Sequence, residues 1–203
     1  MKHAVILAHP KGSSFCASIA GTCVKTLRAL GHEALLRDLY EMDFDPRLGA
    51  DEIPAATPFG PRDDVAAERA LLADVDSFIF VYPFWFNAPP AILKGYVDRV
   101  LSMGFGYAPG VGQTRPLLAG RSLMTFSTSG APDHWIESTG ALTGLMTIFD
   151  RHFAAVCGLT VVDHKHFGGI HSMLAGPAAE SILDEVGAAL RAAFPKGAPA
   201  SRG

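Results

Sequence analysis

Ala4-Val-Ile-Leu-Ala8, running straight into His9-Pro10-Lys11-Gly-Ser-Ser14, is the stretch that decides the fold class. A short, unbroken apolar run closed by turn residues is the pattern of a strand buried on both faces, as in a parallel sheet. Lys11-Gly-Ser-Ser14 supplies turn and helix-capping chemistry. From Phe15 onward apolar residues recur at helical spacing (Phe15, Ile19, Cys23, Leu27, Leu30), and Gly31 marks the end of that helix. Glu33–Leu39 then reads as a second strand. Strand, helix and strand in succession make a βαβ unit, whose crossover is right-handed.

Working outward, the same alternation continues. Helix is expected over Asp63–Ala73, Ala91–Ser102, Thr147–Cys157 and Pro177–Phe194, and strand over Ser77–Tyr82, Ser122–Phe126 and Leu159–Asp163. Between them, Asp43–Pro61 is rich in Pro, Gly and Asp and reads as a long surface excursion; loops of that length usually have a role. Pro83–Pro90 is too rich in proline and aromatics for regular structure, and Gly104–Gly112 reads as a loop. Five apolar strands alternating with helices give an α/β, doubly wound, five-stranded parallel sheet with helices on both faces. The expected organisation is a single domain over residues 1–203, with 195–203 a frayed tail.

Composition narrows the functional classes. Lys plus Arg number 17 and Asp plus Glu 20, a formal net charge of −3 without a basic block, which argues against nucleic acid and anionic membrane surfaces as partners. No run is long enough to span a bilayer, and the chain opens on a strand-like run in place of a signal peptide. Cys16, Cys23 and Cys157 show no CxxC spacing, so a reduced, cytoplasmic setting is expected.

Doubly wound sheets bind ligands outside the carboxyl ends of their strands. That rim gathers three loops. The first, His9–Phe15, offers backbone N–H groups at a helix N-terminus, with Ser13 and Ser14 either capping the helix or helping to bind phosphate. It matches neither GxxxxGK[ST] nor GxGxxG, which disfavours a triphosphate loop and a standard dinucleotide fingerprint. The second places Phe84, Trp85 and Phe86 beside prolines, where a flat conjugated ring could stack. The third, Thr128-Ser129-Gly130, offers small polar groups for the edge of such a ring. Phosphate beside a flat, hydrogen-bonding ring describes a flavin nucleotide.

The string Tyr82-Pro-Phe-Trp-Phe-Asn-Ala-Pro-Pro-Ala-Ile-Leu-Lys-Gly-Tyr-Val-Asp-Arg-Val100, with Gly104-Phe-Gly-Tyr107 beyond it, resembles the flavodoxin-like NAD(P)H:quinone oxidoreductases. The resemblance runs from residue 4 to about residue 170. It implies a flavodoxin-like fold and a homodimer with the flavin at its interface. His9, Ser14, Phe15 and Cys16 would hold the phosphates, Pro83, Phe84, Trp85, Phe86 and Asn87 the isoalloxazine, and Thr128, Ser129 and Gly130 its edge. Tyr107 would reach the partner subunit's substrate pocket. It further implies a ping-pong reaction in which NAD(P)H reduces the flavin and a quinone-like acceptor is then reduced by two electrons. Larger members use FAD and some smaller bacterial ones FMN; the Asp43–Pro61 excursion, read as an adenine cover, favours FAD. The family often has Asn where Cys16 stands. The stretch Ala131–Glu137 has no Tyr where members carry a Tyr and a His, leaving His134 as the replacement and Trp135 as a pocket wall.

Other readings accompany this one. A regulatory flavoprotein subunit of a membrane transporter, and a single-electron carrier of flavodoxin type, share the same fold. His164, His166 and His171 invite a metal, yet no Cys or carboxylate pattern completes a site, so none is expected. Ser127 and Ser129 lack a GxSxG elbow. Lys94, Asp98 and Arg99 read as solvated or interface charges.

Overall fold

The structure is a computed structural model that describes residues 1–54, 59–172, 174 and 176–197. Five strands, β1 (Lys2–Leu7), β2 (Glu33–Asp38), β3 (Ser77–Pro83), β6 (Ser122–Thr128) and β7 (Thr160–Phe167), form one sheet in the order β2-β1-β3-β6-β7. All four pairings are parallel. The order reverses direction between β1 and β3, which puts the topological switch at the carboxyl ends of those strands.

Period-two alternation divides the core into two layers. Ala4, Ile6, Phe78, Phe80, Tyr82 and Leu123 face one layer, with residues of α2 (Asp63–Leu72), α3 (Ala91–Arg99), α5 (Ala141–Leu145) and α6 (Phe153–Cys157). Val5, Leu7, Ile79, Val81, Met124 and Phe126 face the other, against α1 (Phe15–Ala29) and α7 (Gly176–Ala193). Near-complete burial of β3 on both faces is what its unbroken apolar run encodes.

Several expectations change. The last strand runs to Phe167 and not Asp163, because His164, Lys165 and His166 pair with Thr125, Phe126 and Ser127 across the ladder. A polar alternation was read as the strand's end, although the partner strand carries matching polar residues. A one-residue bulge, with Leu123 opposite Val161 and Met124 opposite Asp163, leaves Val162 as the extra residue. Ser127 and Thr128 likewise belong to β6, not to a loop. The Gly-rich segment holds a small antiparallel pair, β4 (Tyr107–Pro109) with β5 (Thr114–Pro116). The Ala131–Glu137 stretch becomes α4 (Asp133–Ser138), with Asp133 in its first turn favoured by the helix dipole. Helix begins at α5 and not at Thr147, passing through a π-helical segment, Met146–His152, before α6. Residues 198–203 of the expected tail and 55–58 of the excursion lie outside the described residues.

The excursion is fastened to the helical layer, away from the phosphate loop. Arg99, read from sequence as solvated, is 2% exposed. Its guanidinium donates to Glu52 (3.0 Å), to Asp64 (2.8 Å) and to the Asp45 carbonyl (2.6 Å). A buried charge persists only when paired and hydrogen-bonded in this way. Lys94 and Asp98, by contrast, form an exposed i,i+4 pair. Through Asp45 and Glu52 the described part of the Asp43–Pro61 segment is anchored to α3, on the face of the sheet opposite α1, and gives no support to FAD over FMN.

Gly95 is where the excursion meets α3: a Cβ there would stand 2.3 Å from the Pro46 carbonyl oxygen. Gly→Ala inside a helix ordinarily stabilises by up to about 1 kcal/mol. Here the sign reverses, and Gly95→Ala is expected to destabilise by about 1–3 kcal/mol, read as a lower midpoint of chemical denaturation at unchanged slope.

At the opposite end of the sheet His3 is fully buried. It hydrogen-bonds Ser77 Oγ (2.5 Å) and His32 Nδ1 (2.9 Å), and packs edge-on against Phe194. Burial, helped by His32 and the N-terminal ammonium, lowers its pKa to about 4. The unfolded chain then binds the proton more tightly, so this contribution is present above the ordinary histidine pKa and is lost as pH falls from about 6.5 through 4. His3→Phe is expected to flatten the stability–pH curve across that window, measured by denaturation at stepped pH.

Candidate functional site

The rim at the switch point is built by continuing the sheet's own hydrogen bonds. Ala8 N–H donates to the Val81 carbonyl, Phe84 N–H to the Thr128 carbonyl and Ser129 N–H to the Phe167 carbonyl. The three loops are thereby held at one height. Between them lies a cavity of about 100 Å³ lined by His9, Phe15, Cys16, Pro83, Trp85, Thr128, Ser129, Gly130 and Ile170.

Eight of the twelve residues expected to bind a cofactor thus meet around one opening. The other four are placed differently. Ser14 caps α1, its Oγ accepting from Ala17 N–H at 3.1 Å. That use occupies a lone pair and leaves the hydroxyl proton to donate outward, so capping and anion binding coexist. Phe84 is buried below the rim, its ring edge-on to His166 at 5.6 Å. Phe86 is fully exposed and Asn87 exposed, at the tip of a turn closed by reciprocal Trp85–Ala88 backbone bonds. Both have positive φ, +47° and +60°, a cost that non-glycine residues bear mainly at functional turns.

The first loop is ordered around His9. Lys11 N–H donates to His9 Nδ1 at 3.0 Å, so the neutral ring carries its proton on Nε2 as a free donor. Partial burial lowers the pKa of His9, which favours that neutral form. The first N–H groups of α1, a 15-residue helix, have no partner within the helix and form the anion-favouring end of its dipole. Cys16 is held differently from a phosphate ligand: its thiol lies against Thr128 Oγ1 at 3.2 Å, tying α1 to the end of β6.

Neither expected catalytic residue lines this opening. His134 is exposed on α4. Tyr107 borders a separate cavity of about 460 Å³, with Leu48, Val97, Leu101, Ile148 and Phe153 among its apolar walls. A third cavity, about 570 Å³, runs from His9 and Gly12 along Ala17 and Gly21 to Leu36, Asp38 and Tyr40 at the end of β2.

The reading from sequence missed a buried polar chain that ends at the rim. Asp150, in the π-helical segment, accepts from Thr125 Oγ1 (3.3 Å) and lies 2.5 Å from His164 Nδ1. His164 Nε2 is 2.7 Å from Ser127 Oγ, which is 2.8 Å from His166 Nδ1. His166 Nε2 is 3.0 Å from Ser129 Oγ, and that hydroxyl donates to the Ala131 carbonyl at 2.7 Å. The signal was present as two alternating sets, Thr125-x-Ser127-x-Ser129 and His164-x-His166, which adjacent strands bring onto one face. Among the described residues no group of three or more His, Cys, Asp and Glu side chains could hold a metal ion, and no helix is long and apolar enough to cross a membrane.

A topological switch bearing a capped helix N-terminus and an aromatic-walled opening is the ligand rim of a flavodoxin-like protein. The family model for the flavodoxin-like fold matches residues 1–193, and the chain belongs to that family. It is similar to an uncharacterised NAD(P)H oxidoreductase of Haemophilus influenzae, 34% identical over 172 residues, covering 84% of this chain and 85% of that one. Among solved structures it is similar to the NAD(P)H:quinone oxidoreductase of Methanothermobacter marburgensis (TM-score 0.82, 25% identity, 94% and 98% of the two chains). It shares its fold with an FMN-dependent NADH-azoreductase of Bacillus anthracis in complex with FMN (TM-score 0.68, 18% identity, 95% and 100% covered).

The cysteines give a test of the packing. All three are free and buried, and burial raises the Cys16 thiol to about 11 and the Cys157 thiol to about 12. At neutral pH the reactive thiolate is scarce as well as inaccessible. Folded protein is therefore expected to take up no iodoacetamide at pH 7.5 over hours, and three equivalents once denatured, counted by intact mass.

Proposed function

We propose that this protein is a flavin-dependent NAD(P)H:quinone oxidoreductase. The observation that carries the reading is the meeting, on one rim, of a helix N-terminus suited to phosphate and an opening walled by Phe15, Pro83, Trp85 and Ile170. The similarity to NAD(P)H oxidoreductases supports it.

The residues present fit a flavin. Free N–H groups at the start of α1, the Ser14 hydroxyl and Lys11 would hold the phosphate. His9 offers its Nε2 proton, Trp85 a stacking face, and Thr128 to Gly130 a hydroxyl-bearing edge. A flavin held there would supply two-electron chemistry between NAD(P)H and a quinone. The chain's part is to bind, orient and exclude water; Trp85, packed 5.6 Å from the His9 ring, sets the spacing of the two loops that grip the cofactor.

The opening, about 100 Å³, floors one edge of a tricyclic ring and does not enclose it. Exposed Trp85, Phe86, Trp135 and Ile148 stand ready to be covered, which supports a homodimer closing over the cofactor. The cofactor in this reading is FAD, whose adenine half the larger cavity lined by His9, Gly12, Ala17, Gly21 and Asp38 would hold. The three buried, unpaired thiols suit a reducing, cytoplasmic location.

A visible spectrum of the purified protein tests the reading, followed by anaerobic NADPH and then benzoquinone. A yellow protein that bleaches with NADPH and recovers with quinone is expected; failure to bind either flavin overturns the proposal. Acid release and chromatography of the cofactor decide FAD against FMN. Trp85→Ala is expected to weaken flavin retention at least tenfold by fluorescence titration. Unchanged retention and unchanged quinone turnover together would remove Trp85 from the site.

A further inference from the structure

The chain Asp150–His164–Ser127–His166–Ser129 is hydrogen-bonded from the buried helical layer to the lining of the rim cavity, and its proton positions follow from counting donors. Ser129 donates its only hydroxyl proton to the Ala131 carbonyl, so it accepts from His166 Nε2. His164 Nδ1 faces a carboxylate and donates to Asp150. Ser127 has one proton for two ring nitrogens, His164 Nε2 and His166 Nδ1. If it donates to His166 it must accept from His164, which makes His164 an imidazolium. If it donates to His164 it must accept from His166, which makes His166 the imidazolium. Both arrangements satisfy every hydrogen bond in the chain, and they differ only in where one positive charge sits.

From this degeneracy we infer that Ser127 couples His164 and His166 into a two-histidine proton relay that carries a positive charge toward the cavity edge at Ser129. In one concerted shift the His164 Nε2–H bond breaks as its proton joins Ser127 Oγ. The Ser127 O–H bond breaks in turn as its proton joins His166 Nδ1. Ser127 remains a neutral alcohol, no electron moves, and no proton enters from solvent.

The groups around the chain set the resting position. Asp150, 1% exposed, lies 2.5 Å from His164 Nδ1, so the arrangement with the charge on His164 is the one that sets it beside a carboxylate. Burial lowers the pKa of His166 to about 4, with His164 adding to the shift and Asp133 opposing it. Tyr82, whose ring lies edge-on to His164 at 6.4 Å, is kept neutral by its own burial. The Phe84 ring edge covers His166. Negative charge gathering in the cavity tilts the balance toward His166, which would then present a cationic donor to Ser129 (3.0 Å) within the cavity lining. His166 is thus a positioning residue, acting on the cavity through Ser129. This role rests on the proposed flavin site, whereas the relay itself does not.

Long-range ¹H–¹⁵N correlation of the histidine rings in protein stripped of any bound cofactor, at pH 7, tests the relay without activity. The expected spectrum shows one ring with both nitrogens protonated, assigned to His164 by its loss in His164→Gln, and His166 protonated at Nε2 alone. Two neutral rings, or a doubly protonated His166 at rest, would overturn the inference. Ser127→Ala is expected to decouple the rings, so that His166 titrates identically with and without His164→Gln. Ser127→Thr, which keeps the hydroxyl, is expected to preserve the coupling. The same spectrum recorded with stoichiometric FMN added reads the link to the site, with charge expected to move toward His166 on dithionite reduction. If bound FMN leaves both rings unmoved in either redox state, the role at the cavity falls and the relay stands. If FMN does not bind, the titration is repeated with FAD, and failure to bind either flavin overturns the proposed function separately.

Discussion

The ladder between β3 and β6 is the constraint on which the rest of the molecule depends. It runs unbroken from Ser77 opposite Ser122 to Pro83 opposite Thr128, and Phe84 N–H extends it by one more bond to the Thr128 carbonyl. Because it ends in the rim, it fixes the height of the aromatic loop against the hydroxyl-bearing loop. A parallel ladder buried on both faces has little freedom to slip, since a shift of one residue exchanges the two core layers. The cavity is therefore positioned by a buried, unbroken ladder, although its walls are loops.

The two faces of that ladder solve different problems. Toward α1 and α7 it presents Met124 and Phe126, an apolar surface whose one buried hydroxyl on β6, that of Thr128, is met by the Cys16 thiol. Toward the other layer it presents Leu123, then Thr125 and Ser127, whose hydroxyls are buried and must be satisfied. Asp150 and His164 meet that need from a helix and a neighbouring strand. Elsewhere in the same layer buried charge is handled by pairing: Glu68 binds Arg37 and the Tyr96 hydroxyl, and Arg99 binds Glu52 and Asp64. Those clusters fasten α2, α3 and the excursion together, whereas the histidine chain alone among the three reaches the rim cavity.

Most of the fold was legible because its strands are unusually apolar. Ala4–Ala8 and Ser77–Tyr82 could hardly be anything but buried strands, and the helix starting at Phe15 announces itself by spacing. The rim followed, since topology dictates which loops share it. Polar strand segments were less legible: β7 beyond Asp163 resembles a strand end until its partner is known to carry Thr125 and Ser127. Arg99 was misread for a related reason, because burial of a charge depends on partners far along the chain. The short helix over Asp133–Ser138 and the β4–β5 pair were hidden behind proline and glycine, which mark interruptions without saying what lies between them.

The bulge at Val162 and the π-helical turn at Met146–His152 bear on how a change of chain length is absorbed beside the histidine chain. Each adds a residue to an otherwise regular element. If the same residues ran in a ladder with no bulge, with Val162 paired to Met124, His164 would fall opposite Phe126 and point into the α1–α7 layer, away from Asp150 and Ser127. Removing Val162 would restore a regular ladder and still leave Asp163 opposite Met124 and His164 opposite Thr125, so the bulge absorbs a change of one residue without disturbing the histidine chain.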